Sequence, residues 1–180
     1  STKNTALGFN ALASCTSGTQ NIGVGVDALS GLVTGTDNIA IGVSAGGGLS
    51  PAETNKDSDH NIFIGTASGG GNWADTSCEY NVAIGGYTLD GVLNAANQNT
   101  CVGYGAGSDM LAGSNNATLG FTAGGSITGG SNNVCVGHGA DASANANNQI
   151  AIGYSVSTDG SNKGRWGNSS LTGGNNIQTD

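Results

Sequence analysis

The side chains that could do chemistry in this chain gather in two short segments. Residues 50–61 hold the single Pro, Pro51, with Glu53, Lys56, Asp57, Asp59 and His60, and residues 67–81 hold Trp73, Asp75, Cys78, Glu79 and Tyr80. Carboxylates beside an imidazole suggest a hard cation, but the spacing of Glu53, Asp57, Asp59 and His60 fits no calcium loop, whose ligands fall on alternate residues and close with a bidentate Glu. Acids, an imidazole and aromatic rings on neighbouring loops suit a protein or glycan partner better, because loops on a rigid scaffold commonly carry recognition. Asp57, Asp59, His60, Trp73 and Tyr80 are therefore the candidate receptor- or glycan-binding residues. The competing reading is a solvated excursion with Trp73 folded back on the scaffold.

Other patterns resemble catalytic motifs only in isolation. Gly42-Val43-Ser44-Ala45-Gly46 has the GxSxG form of a nucleophile elbow, but sister segments read GTASG, GYGAG and GFTAG, so Ser44 is a variable residue of a repeat. Gly103–Gly107 imitates a phosphate loop with no helix after it to point its N–H groups at an anion. Cys15, Cys78, Cys101 and Cys135 form no CxxC pair, the spacing a zinc site uses. No acid pair, metal cluster or nucleophile–base set persists between segments, so the chain is read as a non-enzyme with no cofactor and no metal. Four bases against 12 acids, a net charge of −8, argue against nucleic acid, whose binding depends on Lys and Arg. No apolar run nears the roughly 20 residues a membrane helix needs, so no membrane insertion is expected.

What positions these residues is a repeat. Asn4-TALGF, Asn21-IGVGV, Asn38-IAIGV, Asn61-IFIGT, Asn81-VAIGG, Asn99-TCVGY, Asn116-ATLGF, Asn133-VCVGH and Gln149-IAIGY are nine copies of N-Φ-x-Φ-G, with Φ mostly aliphatic. Their glycines are spaced by 17, 17, 23, 20, 18, 17, 17 and 16 residues, and the two long intervals are the two segments above. A composition of 34 Gly, 36% hydrophobic and 9% charged residues excludes coiled coil and disorder, and the absence of a Gly-X-Y period with abundant Pro excludes collagen.

Period-two alternation makes each copy a short strand. About 17 residues per copy fits one coil of a parallel β-solenoid, with nine coils stacked at about 4.8 Å. The aliphatic pairs are expected inside the coil, and the small middle residues, such as Ala40, Ala83, Cys101 and Cys135, against another chain. A single recurring landmark favours a flat coil of one strong and one weaker strand. Its thin core suggests a homotrimer, intertwined or packed side by side through the small-residue faces. Cys101 and Cys135 fall two coils apart, too far for a disulfide. Tyr104, Phe121, His138 and Tyr154 share the position after the glycine, either as stacked packing or as a second candidate site for sugar stacking.

The repeat resembles those of trimeric phage and large-virus tail fibres, and is similar to the left-handed β-roll heads of trimeric autotransporter adhesins. The likeness covers about residues 4–156 of a repeat domain spanning 1–156, and the insertions and the longer period favour the viral fibre. It implies a left-handed β-roll and a homotrimer in the virion that contacts a host-surface glycan or protein receptor. The alternative is a bacterial cell-surface adhesin head; an ice-binding solenoid would need a regular Thr array that the insertions interrupt. Gln149–Ser170 is similar to the stretch that precedes a C-terminal chaperone domain in some fibres, implying that residues 157–180 are a cap or tail segment.

Overall fold

A computed structural model describes residues 3–47, 58–71 and 77–167. Each repeat forms a three-residue strand: β1 (Thr5–Leu7), β2 (Ile22–Val24), β3 (Ile39–Ile41), β4 (Ile62–Ile64), β5 (Val82–Ile84), β6 (Thr100–Val102), β7 (Ala117–Leu119), β8 (Val134–Val136) and β9 (Ile150–Ile152). A further strand, β10 (Gly164–Trp166), continues the series. The strands lie in chain order in one parallel ten-stranded sheet. Register sets like on like: Ile22 beside Ile39, and Ile41 beside Ile64. The chain is thus an all-β parallel solenoid.

The strands are short because both ends turn sharply. The residue before each Asn, from Gln20 to Asn148, has left-handed backbone with φ between 56 and 63°. Asn, Asp and Gln mostly occupy it, and Asn and Asp tolerate that region better than other side chains. At the other end the strand-closing glycines lie near φ +135°, as at Gly65 (φ +133°). Between these turns the Asn side chains form a buried ladder. Asn61 Nδ2 donates to Asn38 Oδ1 (3.0 Å) and to the Cys78 carbonyl (2.8 Å), while its Oδ1 accepts from Asn81 N–H (3.0 Å) and Asn81 Nδ2 (3.1 Å).

The two strand faces are the reverse of the expectation. Ala40 and Thr118, middle residues of β3 and β7, are 0% and 2% exposed, whereas Ile41 and Leu119 beside them are 41% and 52% exposed. The small residues face the coil interior and the aliphatic pairs face outward. A trimer seam made of small residues is therefore corrected: those residues are the core. The reason is room. Leu29, Leu32, Leu89, Leu93, Met110 and Ile127, all fully buried, enter from the opposite walls, so the strand can contribute only a small side chain. Where it contributes a large one, the facing wall gives way: Phe63 sits where a Cβ on Gly69 would lie 2.4 Å from its ring, and one on Gly46 2.9 Å.

The expected weaker second strand is absent among the described residues. The remaining walls are successive turns bonded coil to coil, as Leu12 N–H to Ala28 O (2.9 Å), Leu29 N–H to Ala45 O (3.0 Å) and Leu89 N–H to Ala106 O (3.0 Å). The sheet also runs one rung beyond the nine copies. Ile150 N–H donates to Lys163 O (2.9 Å), as Ile22 N–H does to Asn38 O (2.8 Å), so Lys163 stands in the Asn position. There the Asn ladder stops: Gln149 Oε1 accepts from Thr158 Oγ1 (2.5 Å) and Ser143 N–H (3.2 Å), which belong to adjoining turns.

Candidate functional site

The coils that flank the two insertions bring several candidate residues to one edge of the sheet. His60 and Tyr80 both occupy the left-handed position before the Asn, one coil apart, and their rings stack at 4.9 Å with planes 17° apart. The coil spacing alone produces this contact, since equivalent positions repeat at about 4.8 Å. On the other side of His60 lies Asp37, the same position one coil earlier, with its Oδ2 3.6 Å from His60 Nε2 and both side chains substantially exposed. An exposed pair of this kind contributes well under 1 kcal/mol to folding. Asp59 is held more firmly, its Oδ1 accepting from Thr36 N–H (2.6 Å) and Thr36 Oγ1 (3.1 Å). The edge therefore presents an acid, an imidazole and a phenol in a row, with a second acid fixed behind them.

His60 and Tyr80 are unusual at this corner. Asn115, Asn132 and Asn148 fill it later in the stack, and left-handed backbone costs a bulky side chain about 1 kcal/mol more than Asn. Two ring-bearing residues accept that conformation next to both insertions. Of the sequence candidates, Asp59, His60 and Tyr80 come together here; Asp57 and Trp73, with Glu53 and Lys56, lie outside the described residues. Asp37 and Thr36 were missed, although aligning the residue before each Asn (Asp37, His60, Tyr80) shows the row in the sequence.

The second candidate is a continuous stack. Tyr104 and Phe121 rings lie 5.4 Å apart, Phe121 and His138 5.1 Å, and His138 and Tyr154 5.2 Å, each pair within 19° of parallel. Tyr87 adds an edge contact to Tyr104 at 5.6 Å. Sugar stacking needs an open ring face, and both faces of Phe121 and His138 are occupied by their neighbours. Tyr104, Phe121 and Tyr154 are each at least half exposed, so the column lies open to solvent.

Ser44 has φ 56°, and its N–H donates to Val26 O (2.8 Å), the same coil-to-coil bond its counterparts make. The cysteines form no disulfide, and Cys78, Cys101 and Cys135 are buried inside the coils. Burial pushes the Cys101 thiol up to about 11 from 9.0, and the Cys135 thiol to about 12, with smaller contributions there from Asp141 and Cys101. Both thiols stay protonated in the fold while an unfolded chain ionises them above pH 9. Their folded values are raised, so their contribution is fully present below pH 9 and is lost as pH climbs towards 11–12. Urea midpoints of the wild type should fall over that range, and Cys101→Ala/Cys135→Ala should flatten the fall; equal slopes would refute the assignment. No family model, curated protein or solved structure matches this chain.

Proposed function

We propose that this chain is a structural segment of a viral attachment fibre, assembled as a homotrimer, with the edge bearing Asp59, His60 and Tyr80 contacting a host-surface glycan or protein receptor. One observation carries the reading: an apolar strip free of Asp, Glu, Lys and Arg runs the length of the stack on its outer sheet face. Ile41, Ile84, Leu119 and Ile152 are among its exposed residues. Ten strands at about 4.8 Å make a rod of roughly 43 Å, too thin to cover that strip by itself. Polar corners border the strip, the arrangement typical of an interaction surface. Assembly would bury the aliphatic rows and leave outside the edge where acids and rings collect. The repeat's likeness to tail fibres supports the virion as its setting.

Sedimentation of the 17.4 kDa chain is expected to give about three times that mass, and Ile84→Lys, which places a charge in the strip, to give the monomer. On a glycan array, His60→Asn/Tyr80→Asn should abolish binding while leaving the trimer intact, because Asn suits the corner backbone. A wild-type monomer would refute the assembly; unchanged array binding by the double variant would refute the site.

A further inference from the structure

The edge that carries His60 and Tyr80 is also where the chain concentrates its charge. Between residues 37 and 80 the sequence holds six acids and one base, Lys56, a net −5 out of −8 for the whole chain. Asp37, Asp59 and Glu79 lie on the described coils, and the other four groups belong to the insertions. Two columns hold the three described acids. Asp37 shares the left-handed position before the Asn with His60 and Tyr80, while Asp59 and Glu79 each sit one residue earlier. Along much of the stack that earlier column binds coil to coil, its side chain accepting the backbone N–H of the equivalent residue one coil before. Thr36 N–H donates to Asp59 Oδ1 (2.6 Å), Glu79 N–H to Asn97 Oδ1 (2.7 Å) and Ser131 N–H to Asn147 Oδ1 (2.7 Å). Glu79 does not share this duty, and among the described residues its carboxylate accepts no hydrogen bond. The Asp37 carboxylate accepts none either; its polar neighbour is His60 Nε2, 3.6 Å from Oδ2.

Asp37 and Glu79 thus stand at the two ends of the ring pair with their charge uncommitted to the scaffold. Two rungs place them roughly 10 Å apart along the stack, so a ligand on His60 and Tyr80 lies within about 5–6 Å of one carboxylate or the other. Opposing charge is remote. Lys3 precedes His60 by three rungs in the same column, about 14 Å, and Lys163 and Arg165 lie about 24 Å beyond Tyr80, against a screening length near 8 Å. The row is rich in acceptors: two carboxylates, a ring nitrogen and a phenol oxygen that also donates. A sugar hydroxyl can donate to them, whereas a ligand carboxylate or sulfate adds acceptors alone and meets like charge. At about 10 Å the row is also short of the roughly 800 Å² per partner that a protein contact occupies. We propose that Asp37 and Glu79 are specificity-determining residues of this edge, admitting uncharged, hydroxyl-bearing glycans and turning away those that carry carboxylate or sulfate. This selection rests on the reading of the edge as the receptor contact, and adds the class of glycan and the two residues that choose it.

The test is an array that prints neutral glycans beside their sialylated and sulfated forms, probed with the full 180-residue chain. The wild type is expected to bind neutral members and to bind their charged forms at least about tenfold more weakly. Asp37→Asn/Glu79→Gln keeps the side-chain shapes, and Asn tolerates the left-handed backbone at residue 37 (φ 57°). It should bring the charged forms to within about threefold of the neutral ones. A second arm needs no substitution: in 1 M salt the screening length falls to about 3 Å, and the wild-type gap should narrow. Equal wild-type binding of charged and neutral forms would overturn the proposal, as would a gap that persists in 1 M salt. A gap unchanged in the double variant would overturn the assignment to Asp37 and Glu79. Binding of no glycan of either kind would overturn it in favour of a protein receptor. The edge itself is tested separately by His60→Asn/Tyr80→Asn. Charged forms bound by the wild type and lost in that variant would keep the edge and overturn the selection, whereas neutral binding that survives it would place the glycan elsewhere and overturn both.

Discussion

Gly65→Ala is expected to cost more than about 4 kcal/mol and to separate the stack between β4 and β5, well beyond an ordinary surface substitution. A Cβ at Gly65 would lie 2.4 Å from the Gly85 carbonyl oxygen and 2.6 Å from its carbon. Both obstacles are backbone, so no side chain can rotate away. Relief requires the two coils to part, and the bonds that join them, Ile62 N–H to Asn81 O (2.8 Å) and Gly85 N–H to Ile64 O (2.7 Å), lengthen together. A second penalty is conformational, because φ at Gly65 is +133°. Gly160→Ala separates the two, having φ +140° and nothing within 4 Å of the added Cβ; it should cost only about 1–3 kcal/mol. Gly164→Ala, also in open space and without the positive φ, should be near neutral. Urea unfolding of the three variants, with hydrogen exchange at the β5 amides, reads the series. Equal losses at Gly65 and Gly160 would show that close approach is not the cause. Since coils of a solenoid contact only their neighbours, the exchange change should be local to that junction.

The repeat made the strands, their order and the coil period legible, because stacking identical coils forces Asn onto Asn and Gly onto Gly. It did not make the facing legible. An alternation such as Ile39-Ala40-Ile41 has the same period whichever side is inside, and hydrophobicity favoured placing the isoleucines there. What decides is the volume supplied by other walls, from Leu29, Leu93 and Ile127, which sit in turns with no strand pattern. Once those side chains fill the coil, Ala40 is the residue that fits. The tenth rung escaped notice for a different reason: Lys163-Gly164-Arg165-Trp166-Gly167 keeps the spacing of the motif but neither its Asn nor its aliphatics. Arg165 there donates to the Ser157 carbonyl, a bond no other coil makes with that position. At the candidate edge the insertions lead into the two coils whose His60 and Tyr80 rings stack. The stacking of His60 on Tyr80 depends on both side chains preceding an Asn, a column that hydrophobic periodicity does not mark.

Asn61→Ala should lose about 3–6 kcal/mol, the second largest effect, because it strands several buried groups at once. The Asn81 N–H and one Asn81 Nδ2 hydrogen lose their acceptor, and the Cys78 carbonyl loses its donor. Each buried polar group left without a partner costs about 1–3 kcal/mol. Asn4, at the open end of the ladder and only partly buried, gives the contrast. Its Oδ1 serves Asn21 N–H (2.9 Å), but no coil precedes it among the described residues, so Asn4→Ala should cost less than Asn61→Ala. Asn61→Asp then divides the amide's two roles. The carboxylate still accepts from Asn81, but it cannot donate to Asn38 Oδ1 or the Cys78 carbonyl, and it faces both as a buried anion. Its protonated form is favoured in the fold, so its folded pKa is raised above the unfolded value near 4. By linkage the variant is most stable below about pH 4 and weakens as pH rises through the raised value. Denaturation midpoints that rise between pH 4 and 8 in Asn61→Asp would show that the donor half of the ladder is dispensable.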